Sequence, residues 1–324
     1  MPKPGKRTAA SRGRKAERVD RSPRSSEAED RRNGELGRVV AHHGVAVLVR
    51  FDHGGERQIW LTPDQRAVAG DRVVVVGERL VVEPAHGILR RRDVRGRERT
   101  IAVNLDVLGI VLAPEPREPP GYIDRGFVIA RAAGIEAVVI VNKIDLEAGS
   151  ELADLLSEIY GTSSNVHRVS ATTGEGIEAI SGALTGGRLG ALVGPSGVGK
   201  SSLLNALVSD LDLRVSALNR KSQKGRHTTT TATLHSLPGG GFLVDTAGFK
   251  DFIAVGVDAL EAANFFPGFE VALEGGCRFR DCLHRSEPDC SVLAAVEAGE
   301  IPSRRHRNYI ELLDELTGSS RPSR

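Results

Sequence analysis

A glycine-rich loop in the second half of the chain has the residue types needed to hold a phosphate chain. Residues 194–201, GPSGVGKS, match the pattern G-x-x-x-x-G-K-[ST] without a gap, after an apolar strand-like segment and before a helix-like one. Glycine lets backbone N–H groups wrap a β-phosphate, and the N-terminus of the following helix adds positive potential. We expect Lys200 to reach the β- and γ-phosphates in a catalytic role and Ser201 to bind Mg²⁺. The nucleotide contacts expected from this loop are Gly194, Pro195, Ser196, Gly197, Val198, Gly199, Lys200, Ser201 and Ser202.

The segment VNKID follows another apolar run and has residues that can select a base. The Asp145 carboxylate can accept two hydrogen bonds from the N1–H and the exocyclic amino group of guanine, whereas adenine offers no such pair of donors at that edge. Lys143 would lie along the base plane, and Asn142 would tie the loop to the base and to the phosphate loop. SATTGEGI, which begins with Ser170 and Ala171, looks like a loop whose backbone amide donates to guanine O6. Together the two loops favour GTP over ATP.

Two further segments have residues with which nucleotide-binding proteins hold Mg²⁺ and sense a γ-phosphate. Asp245 begins DTAG at the end of an apolar segment, where its carboxylate would hold Mg²⁺ through water and the Gly248 amide would meet the γ-phosphate. Upstream, in SQKGRHTTTTATL, Thr229 or Thr230 would supply a second hydroxyl to Mg²⁺. The alternative for this threonine run is an ordinary polar loop that leads into a strand.

The order of these segments along the chain is base, base, phosphate, switch, switch, whereas most GTPases have the phosphate loop first. A site that is assembled in space does not depend on where the chain begins, and the termini of a domain tend to lie close together. Suppose that an ordinary GTPase domain is cut between its second switch and its base-reading strand. If its original N- and C-termini are then joined between SATTGEGI and GPSGVGKS, the segments follow in this order. The sequence therefore predicts a circularly permuted GTPase domain.

All three cysteines of the chain fall within fourteen residues, with a histidine among them. Cys277, Cys282, His284 and Cys290 fit a closed tetrahedral Cys₃His site in which no position remains for water. We therefore expect one structural Zn²⁺ per chain. A disulfide and three unrelated buried thiols are the alternatives, and the odd number of cysteines argues against the disulfide.

Strands and helices alternate across the segments that carry the nucleotide motifs. Apolar runs such as LDVLGIVLA and EAVVIV are typical of buried strands, and YIDRGFVIARAAG and ELADLLSEIYG are typical of helices. This alternation indicates βαβ units and a parallel sheet, that is, an α/β P-loop domain. Before it, short valine-rich runs separated by turn residues predict a small OB-like β-barrel, with an SH3-like barrel as the competing fold.

The chain of 324 residues, 40% of them hydrophobic, is long enough for several domains. We predict a disordered basic arm at residues 1–33, the OB-like barrel at 34–95, the permuted GTPase domain at 96–262 and a mainly helical zinc-binding domain at 263–324. The chain has no secretory signal and no apolar run of about 18 residues or more, so we expect a cytoplasmic protein without membrane contact. We also expect a monomer.

Two basic segments have more than one interpretation. Residues 1–34 contain eleven Lys and Arg against five Asp and Glu, which suits either an arm that binds RNA phosphates or a solubilising extension. Residues 90–99, RRRDVRGRER, form either a solvated linker or an RNA-facing edge of the barrel.

The permuted motif order, the barrel before it, GRHTTT, and C-x4-C-x-H-x5-C after it together resemble the ribosome small subunit-dependent GTPase A family, RsgA or YjeQ, over about residues 34–315. The resemblance implies an OB-fold domain, a permuted GTPase domain and a zinc-binding domain that act in late maturation of the small (30S) ribosomal subunit. It also implies binding to the 16S rRNA near the decoding region, with GTP hydrolysis stimulated by the subunit and coupled to release. The alternative is an RNA-binding module whose nucleotide pocket only regulates it.

The residue that would position the attacking water is not the usual one. Ras-like enzymes use a Gln soon after the glycine of the second switch, whereas Gly248 is followed here by Phe249 and Lys250, so we expect slow intrinsic turnover. His227 is the candidate catalytic residue, because imidazole exchanges protons with water near neutral pH and the resemblance points to it as well. A role for His227 in loop contacts alone is the alternative. Ala247 stands where the family usually has a proline, which leaves the switch backbone less restrained.

Overall fold

The computed structural model of the chain describes residues 34–92, 97–208, 233–245 and 255–318. A mixed sheet runs through the described chain and has the strand order β10-β9-β8-β11-β13-β12-β1-β2-β3, with β4 on β1 and β5 on β4. A separate hairpin pairs β6 with β7. The strands are β1 (Glu35–His42), β2 (Ala46–Phe51), β3 (Glu56–Trp60), β4 (Arg72–Val76), β5 (Arg79–Val82), β6 (Leu89–Arg92), β7 (Glu98–Ala102), β8 (Val107–Leu112), β9 (Glu136–Val141), β10 (Val166–Arg168), β11 (Leu189–Val193), β12 (Thr233–Ser236) and β13 (Phe242–Asp245).

The helices follow the alternation that the apolar runs predict. They are α1 (Tyr122–Ala132), α2 (Glu147–Tyr160), α3 (Ile177–Ala183), α4 (Lys200–Leu207), α5 (Ala262–Phe265), α6 (Glu270–Glu274), α7 (Ser291–Glu297) and α8 (Ser303–Leu316). The first four lie between or directly after strands of the central sheet, whereas the last four form the C-terminal part of the described chain. No helix of the described segments is long and apolar enough to cross a membrane.

The central sheet is parallel from β10 to β13, and β12 is antiparallel to β13. Every residue of β8 and β11 is buried, which explains why their sequences are continuous apolar runs rather than alternating ones. Because the strands are parallel, the loops that follow β9, β10, β11 and β13 leave the same edge of the sheet. That edge is where the sequence places its nucleotide motifs.

The N-terminal strands β1 to β5 form a sheet of order β3-β2-β1-β4-β5. Val39, Val47, Val49, Ile59 and Val73 form its buried core, as expected from the valine-rich runs. The predicted closed OB-like barrel is not confirmed, because among the described residues no pairing joins β3 to β5. The strands are present as predicted, and in the described part of the chain they form a sheet whose outer strands, β3 and β5, do not pair with each other.

Strand β1 joins the N-terminal sheet to the central one. Its first half pairs with both β2 and β4, a bulge between Val39 and Ala41 shifts the register, and Ala41 then pairs with Thr233 of β12. One register row crosses the joint and runs from Gln58 through Leu48, Ala41 and Thr233 to Asp245. The two sheets are therefore continuous through backbone pairing.

The basic segment at residues 90–99 lies on the β6–β7 hairpin where it is described. Arg91 faces Arg99 across this hairpin, and the backbone of Arg92 pairs with that of Glu98. Its tip, residues 93–96, is outside the described chain.

The C-terminal helices pack on the central domain through an aromatic cluster and a buried polar network. The rings of Phe266 and Phe269 lie 5.2 and 5.0 Å from that of Tyr309, and all three are fully buried. Beside them Asp124 of α1, which is 1% exposed, accepts hydrogen bonds from Tyr160 Oη at 2.8 Å and from Asn308 Nδ2 of α8 at 2.7 Å. Helix α8 is thus fixed to α1 and α2 of the central domain.

Candidate nucleotide site and metal centre

The glycine-rich loop leaves β11 and enters α4 with the backbone that its glycines allow. Gly197 and Gly199 have φ of +94° and +96°, values that residues with side chains rarely adopt. A Cβ at Gly194 would lie 2.3 Å from the carbonyl oxygen of Val111, so only glycine fits between the loop and β8. Lys200 opens α4, and its Nζ donates to the carbonyl oxygens of Gly194 and Pro195 at 2.7 and 2.8 Å. The lysine therefore lies across the mouth of the loop, where phosphate oxygens would replace or join these carbonyls.

Asn142 connects three loops through one side-chain amide. It follows β9 and is 2% exposed. Its Nδ2 donates to the carbonyl oxygen of Val198 in the phosphate loop at 2.9 Å, and its Oδ1 accepts from the backbone N–H of Ala171 at 3.1 Å. A Cβ at Gly199 would lie 2.2 Å from this Nδ2, so glycine is also needed there for the contact. The amide sets the distance between the base-side loops and the phosphate loop.

Lys143 and Asp145 occupy the outer part of the VNKID loop. Lys143 has φ of +68°, and its Nζ donates to the carbonyl oxygen of Glu115 at 2.9 Å. Asp145 is exposed at the carboxyl edge, where a base could reach it. Gly149 packs tightly under this loop, since a Cβ there would lie 2.1 Å from the Lys143 carbonyl oxygen. The Glu115 contact was not predicted, because nothing in the proline-rich segment around it indicates that it faces this loop.

The loop that begins with Ser170 is held by its own backbone and side chains. Ser170 is fully buried, its Oγ accepts from the Thr173 N–H at 3.1 Å and its carbonyl accepts from the Gly174 N–H at 2.9 Å. The Ala171 N–H, which the sequence suggests for guanine O6, donates to Asn142 in this structure. Its contact with a base stays a prediction.

Of the site residues predicted in the two switch segments, Asp245 lies within the described residues. It ends β13, is partly buried, and pairs in register with Thr233 of β12. Ser201 lies in the first turn of α4, at the same edge of the sheet. The other residues expected at the γ-phosphate and the metal lie outside the described residues: His227, Thr229, Thr230 and Gly248.

The three cysteines and His284 come together in the C-terminal part of the chain. Their ligand atoms lie within 4.8 Å of one another. His284 Nδ1 is 3.5 Å from Cys277 Sγ, 3.5 Å from Cys282 Sγ and 3.3 Å from Cys290 Sγ. A tetrahedral zinc with usual bond lengths would place sulfur and nitrogen ligands about 3.6 Å apart, so the cluster already has nearly the required dimensions. Three thiols and one imidazole on this scale fit one zinc ion.

Neighbouring groups hold the ligand loop in shape. The Glu287 carboxylate accepts from the backbone N–H groups of Leu283, Arg285 and Ser286 at 2.9, 2.7 and 3.0 Å. His284 itself has φ of +57°, and its carbonyl contacts His306 Nε2 of α8 at 2.8 Å. The cluster of cysteines and His284 is thereby tied to helix α8.

Comparison with known sequences identifies close relatives. Residues 82–254 match the family model of the RsgA GTPase. A protein named small ribosomal subunit biogenesis GTPase RsgA from Chromohalobacter salexigens is 40% identical over 310 residues, which cover 92% of this chain and 91% of that protein. Proteins of the same name from Gemmatimonas aurantiaca and Pseudomonas aeruginosa are 42% and 38% identical and cover 79% and 94% of this chain. The matches span 86% of the Gemmatimonas protein and 92% of the Pseudomonas protein.

Solved structures agree with these relationships. YjeQ from Thermotoga maritima superposes with a TM-score of 0.69 at 30% identity, covering 88% of this chain and 99% of that one. YloQ, described as a circularly permuted GTPase, superposes with a TM-score of 0.67 at 23% identity, and the match covers 90% of this chain and 97% of that one. At that identity the likeness to YloQ shows the fold, and this fold is the permuted one that the motif order predicts.

Proposed function

This chain belongs to the RsgA GTPase family, and we propose that the loops joined by Asn142 form its GTP site. The chain is accordingly a GTP-hydrolysing enzyme of small ribosomal subunit biogenesis. The observation that supports the location is the Asn142 amide, which links the VNKID loop to both the phosphate loop and the SATTGEGI loop. The proposed nucleotide contacts are Asn142, Lys143, Asp145, Ser170, Ala171, Gly248 and residues 194–202.

GTPases act on GTP together with Mg²⁺, which neutralises charge on the phosphate oxygens. We place the ion between Ser201 at the start of α4 and Asp245 at the end of β13, with Thr229 or Thr230 as a further ligand. Both described residues lie at the carboxyl edge of neighbouring parallel strands, which brings them to the same side of the sheet. We further propose one structural zinc ion held by Cys277, Cys282, His284 and Cys290.

The proposed partner is the 16S rRNA of the small subunit, bound by a monomer. Three basic regions support this proposal: the arm at residues 1–33, the hairpin around residues 90–99 and the N-terminal half of α8. Contacts between Lys or Arg and phosphates release counterions, so association with the subunit should weaken steeply as the salt concentration rises. GTP would favour the bound state and GDP release, because only the γ-phosphate can order both switches.

Hydrolysis would depend on the bound subunit. His227 is proposed to orient the attacking water once the subunit orders its loop, while Lys200 stabilises charge on the phosphates. Without the subunit we expect turnover on the order of 10⁻³ s⁻¹ or below, as in unassisted GTPases.

The test is phosphate release at saturating GTP by the wild-type protein and by His227→Ala, each with and without purified small subunits. We expect strong stimulation of the wild type and little stimulation of the variant, whose affinity for the subunit is measured in parallel. Absence of stimulation in the wild type would contradict the proposed coupling. Full stimulation of the variant with unchanged binding would exclude His227 as the catalytic residue.

A further inference from the structure

The loop between the first two zinc-type ligands places an aromatic ring in solvent. Phe279 lies between Cys277 and Cys282, and 42% of it is exposed. The guanidinium of Arg278 lies over its ring, with Cζ 5.5 Å from the ring centroid. Arg280 on its other side is exposed as well. The exposed part of the ring is apolar surface that a ligand could cover, and burial of aromatic surface is favourable.

The backbone around the ring is fixed from both ends. The Arg278 N–H donates to the carbonyl oxygen of Asp289 at 3.2 Å, and the Cys282 N–H donates to the carbonyl oxygen of Phe279 at 3.4 Å. The Arg278 guanidinium also donates to the Asp289 carboxylate at 3.0 Å. A ring on such a short, bridged loop has little freedom left to lose when a ligand binds, which favours affinity.

The surroundings of Phe279 suit a nucleobase better than a protein surface. Protein interfaces are built around contiguous apolar cores, whereas the neighbours of this ring in the loop are the charged residues Arg278, Arg280 and Asp281, all exposed. Arg280 is exposed, and among the described residues the ion pairs of this region are those of Arg278 and Arg285, so the Arg280 charge is available to a phosphate. Aromatic rings flanked by cationic groups are the usual platforms for unpaired bases, because every base has a face that can stack.

Basic residues continue from this loop onto α8. His306 contacts the carbonyl of the ligand His284, which places the start of α8 beside the metal centre. On either side of His306, Arg304 and Arg307 are exposed.

We propose that Phe279 is a stacking platform for an unpaired base of RNA, with Arg280 contacting the neighbouring phosphate. The inference rests on the proposed binding of the small subunit. It names one residue that would contact the RNA and the type of contact that it would make. Stacking contributes sequence-tolerant affinity, so the site would recognise that a base is unpaired rather than which base it is.

The first test compares the affinities of variants for purified small subunits at one salt concentration, with a non-hydrolysable GTP analogue. Phe279→Ala should bind about 10-fold more weakly, whereas Phe279→Trp should bind at least as well as the wild type. The matched control is Val271→Ala, which truncates an apolar residue of α6 that is 77% exposed. Zinc content and basal hydrolysis should be unchanged in all three variants. Equal affinity of Phe279→Ala and the wild type would overturn the inference.

The second test uses the fact that the chain has a single tryptophan, Trp60. In the double variant Trp60→Phe, Phe279→Trp the only indole lies at the proposed platform. Oligouridine should quench its fluorescence, and an abasic oligomer with the same number of phosphates should not. Equal quenching by both oligomers would mean phosphate contact alone, and quenching by intact subunits without any by RNA would mean a protein contact. Either result overturns base stacking.

These outcomes are distinguishable from failure of the proposed function. If small subunits do not stimulate hydrolysis by the wild type, the proposed partner is wrong. If they do stimulate it and Phe279→Ala binds them normally, only the stacking inference is wrong.

Discussion

Asn142 uses one amide group to hold three loops together, and each of its two polar atoms has one partner. The donor goes to Val198 and the acceptor to Ala171. Since the residue and its partner Val198 are almost completely buried, water cannot readily replace that bond when the amide is removed. The geometry of the whole nucleotide edge thus depends on a single side chain.

Asn142→Ala should weaken GTP binding by about 10- to 100-fold, because the loops lose their common anchor and two backbone groups, the buried Val198 carbonyl and the partly buried Ala171 N–H, lose their partners. Titration with a fluorescent GTP analogue measures this directly. Asn165→Ala is the matched control, since Asn165 is exposed. Wild-type affinity in Asn142→Ala would show that the loops hold their positions without the amide.

A second residue prediction concerns pH. Burial raises the pKa of Asp71 from 3.8 to about 6, although its carboxylate accepts a hydrogen bond from the Val68 N–H at 2.7 Å. The Asp71 carboxyl group therefore holds its proton more tightly in the folded state than in the unfolded chain. The contribution of Asp71 to stability is greatest below about pH 4 and is lost as the pH rises towards about 6.

Asp71→Asn keeps an acceptor for Val68 and removes the buried charge. We expect the free energy of unfolding at pH 8 to rise by about 2 to 4 kcal/mol, with little change at pH 4. Urea unfolding at the two pH values checks this, with Glu78→Gln, a neutralised exposed carboxylate in the turn after β4, as the control. An equal change at both pH values would mean that the charge of Asp71 is not the cause.

At the level of residues, the sequence indicates which side chains carry nucleotide chemistry but not what supports them. Asn142, Lys200 and the glycines follow from motif spacing, because the backbone conformations and contacts of such loops depend on local sequence. The carbonyl of Glu115 that accepts from Lys143 could not be found in this way. It lies 28 residues away along the chain, and a carbonyl group has no residue type to identify it.

Among the secondary-structure elements, the short helices of the C-terminal part depend most on a local cluster. Cys282 and Cys290 are buried in the same apolar core as Phe266, Phe269 and Tyr309. A thiol that has no metal partner would be left to pack there as a small apolar group. Loss of a metal should consequently loosen this part of the chain first.

Cys282→Ser should lower the zinc content below one ion per chain and loosen α7 and α8, because a serine hydroxyl is a poor zinc ligand. GTP affinity should change by no more than about twofold, since the ligands lie outside the nucleotide loops. Elemental analysis, proteolysis and GTP titration test the three parts, with Ser286→Ala in the same loop as the control. Full zinc content and unchanged proteolysis in Cys282→Ser would contradict a tetrahedral site that includes this thiol.

The strands and helices were predictable where their patterns are long and local. The buried runs of β8 and β9, and the helices α1 and α2, appear where the apolar periodicity indicates them. The predicted closure of the N-terminal strands into a barrel is not confirmed, and local patterns are a poor guide to it because closure depends on pairing between strands that are distant in sequence. The valine runs specify a buried face but not which strand comes to lie beside β1, and β1 pairs with β12 of the central sheet.

For the molecule as a whole, the contact between α8 and the central domain rests on Asp124. Besides its two hydrogen bonds, its carboxylate lies 3.9 Å from Arg305 Nε, and the Arg305 guanidinium stacks 4.7 Å from the Tyr160 ring centroid. Burial raises the pKa of Asp124, while the hydrogen bonds from Asn308 and Tyr160 act in the opposite direction. Removing the carboxylate would leave Tyr160 Oη and Asn308 Nδ2 without this acceptor.

Asp124→Ala should therefore lower the free energy of unfolding by about 3 to 5 kcal/mol and make α8 accessible to protease. Asp154→Ala is the control, because Asp154 pairs with Arg168 on the surface and its loss should cost at most about 1 kcal/mol. Thermal unfolding and limited proteolysis measure the two effects. Equal behaviour of the two variants would mean that the aromatic cluster alone docks α8.

The register row from Gln58 to Asp245 predicts that nucleotide state reaches the N-terminal sheet. Strand β12 begins three residues after Thr230, so ordering of the switch loop by a GTP analogue should slow amide hydrogen exchange in β12 and in β1 relative to GDP. Strand β5, whose one partner among the described strands is β4, serves as the internal control. Identical exchange of β1 in both nucleotide states would show that the joint does not transmit the change.

The pairing of Ala41 with Thr233 also bears on solubility. Strand β12 lies at the outer side of the central sheet, and an uncovered strand there would present unpaired N–H and C=O groups to any other chain. Strand β1 occupies this position, so the N-terminal sheet protects the central domain from edge-to-edge association. A chain shortened to residues 82–254 would retain the nucleotide motifs but expose that backbone, and the shortened protein should tend to self-associate through it.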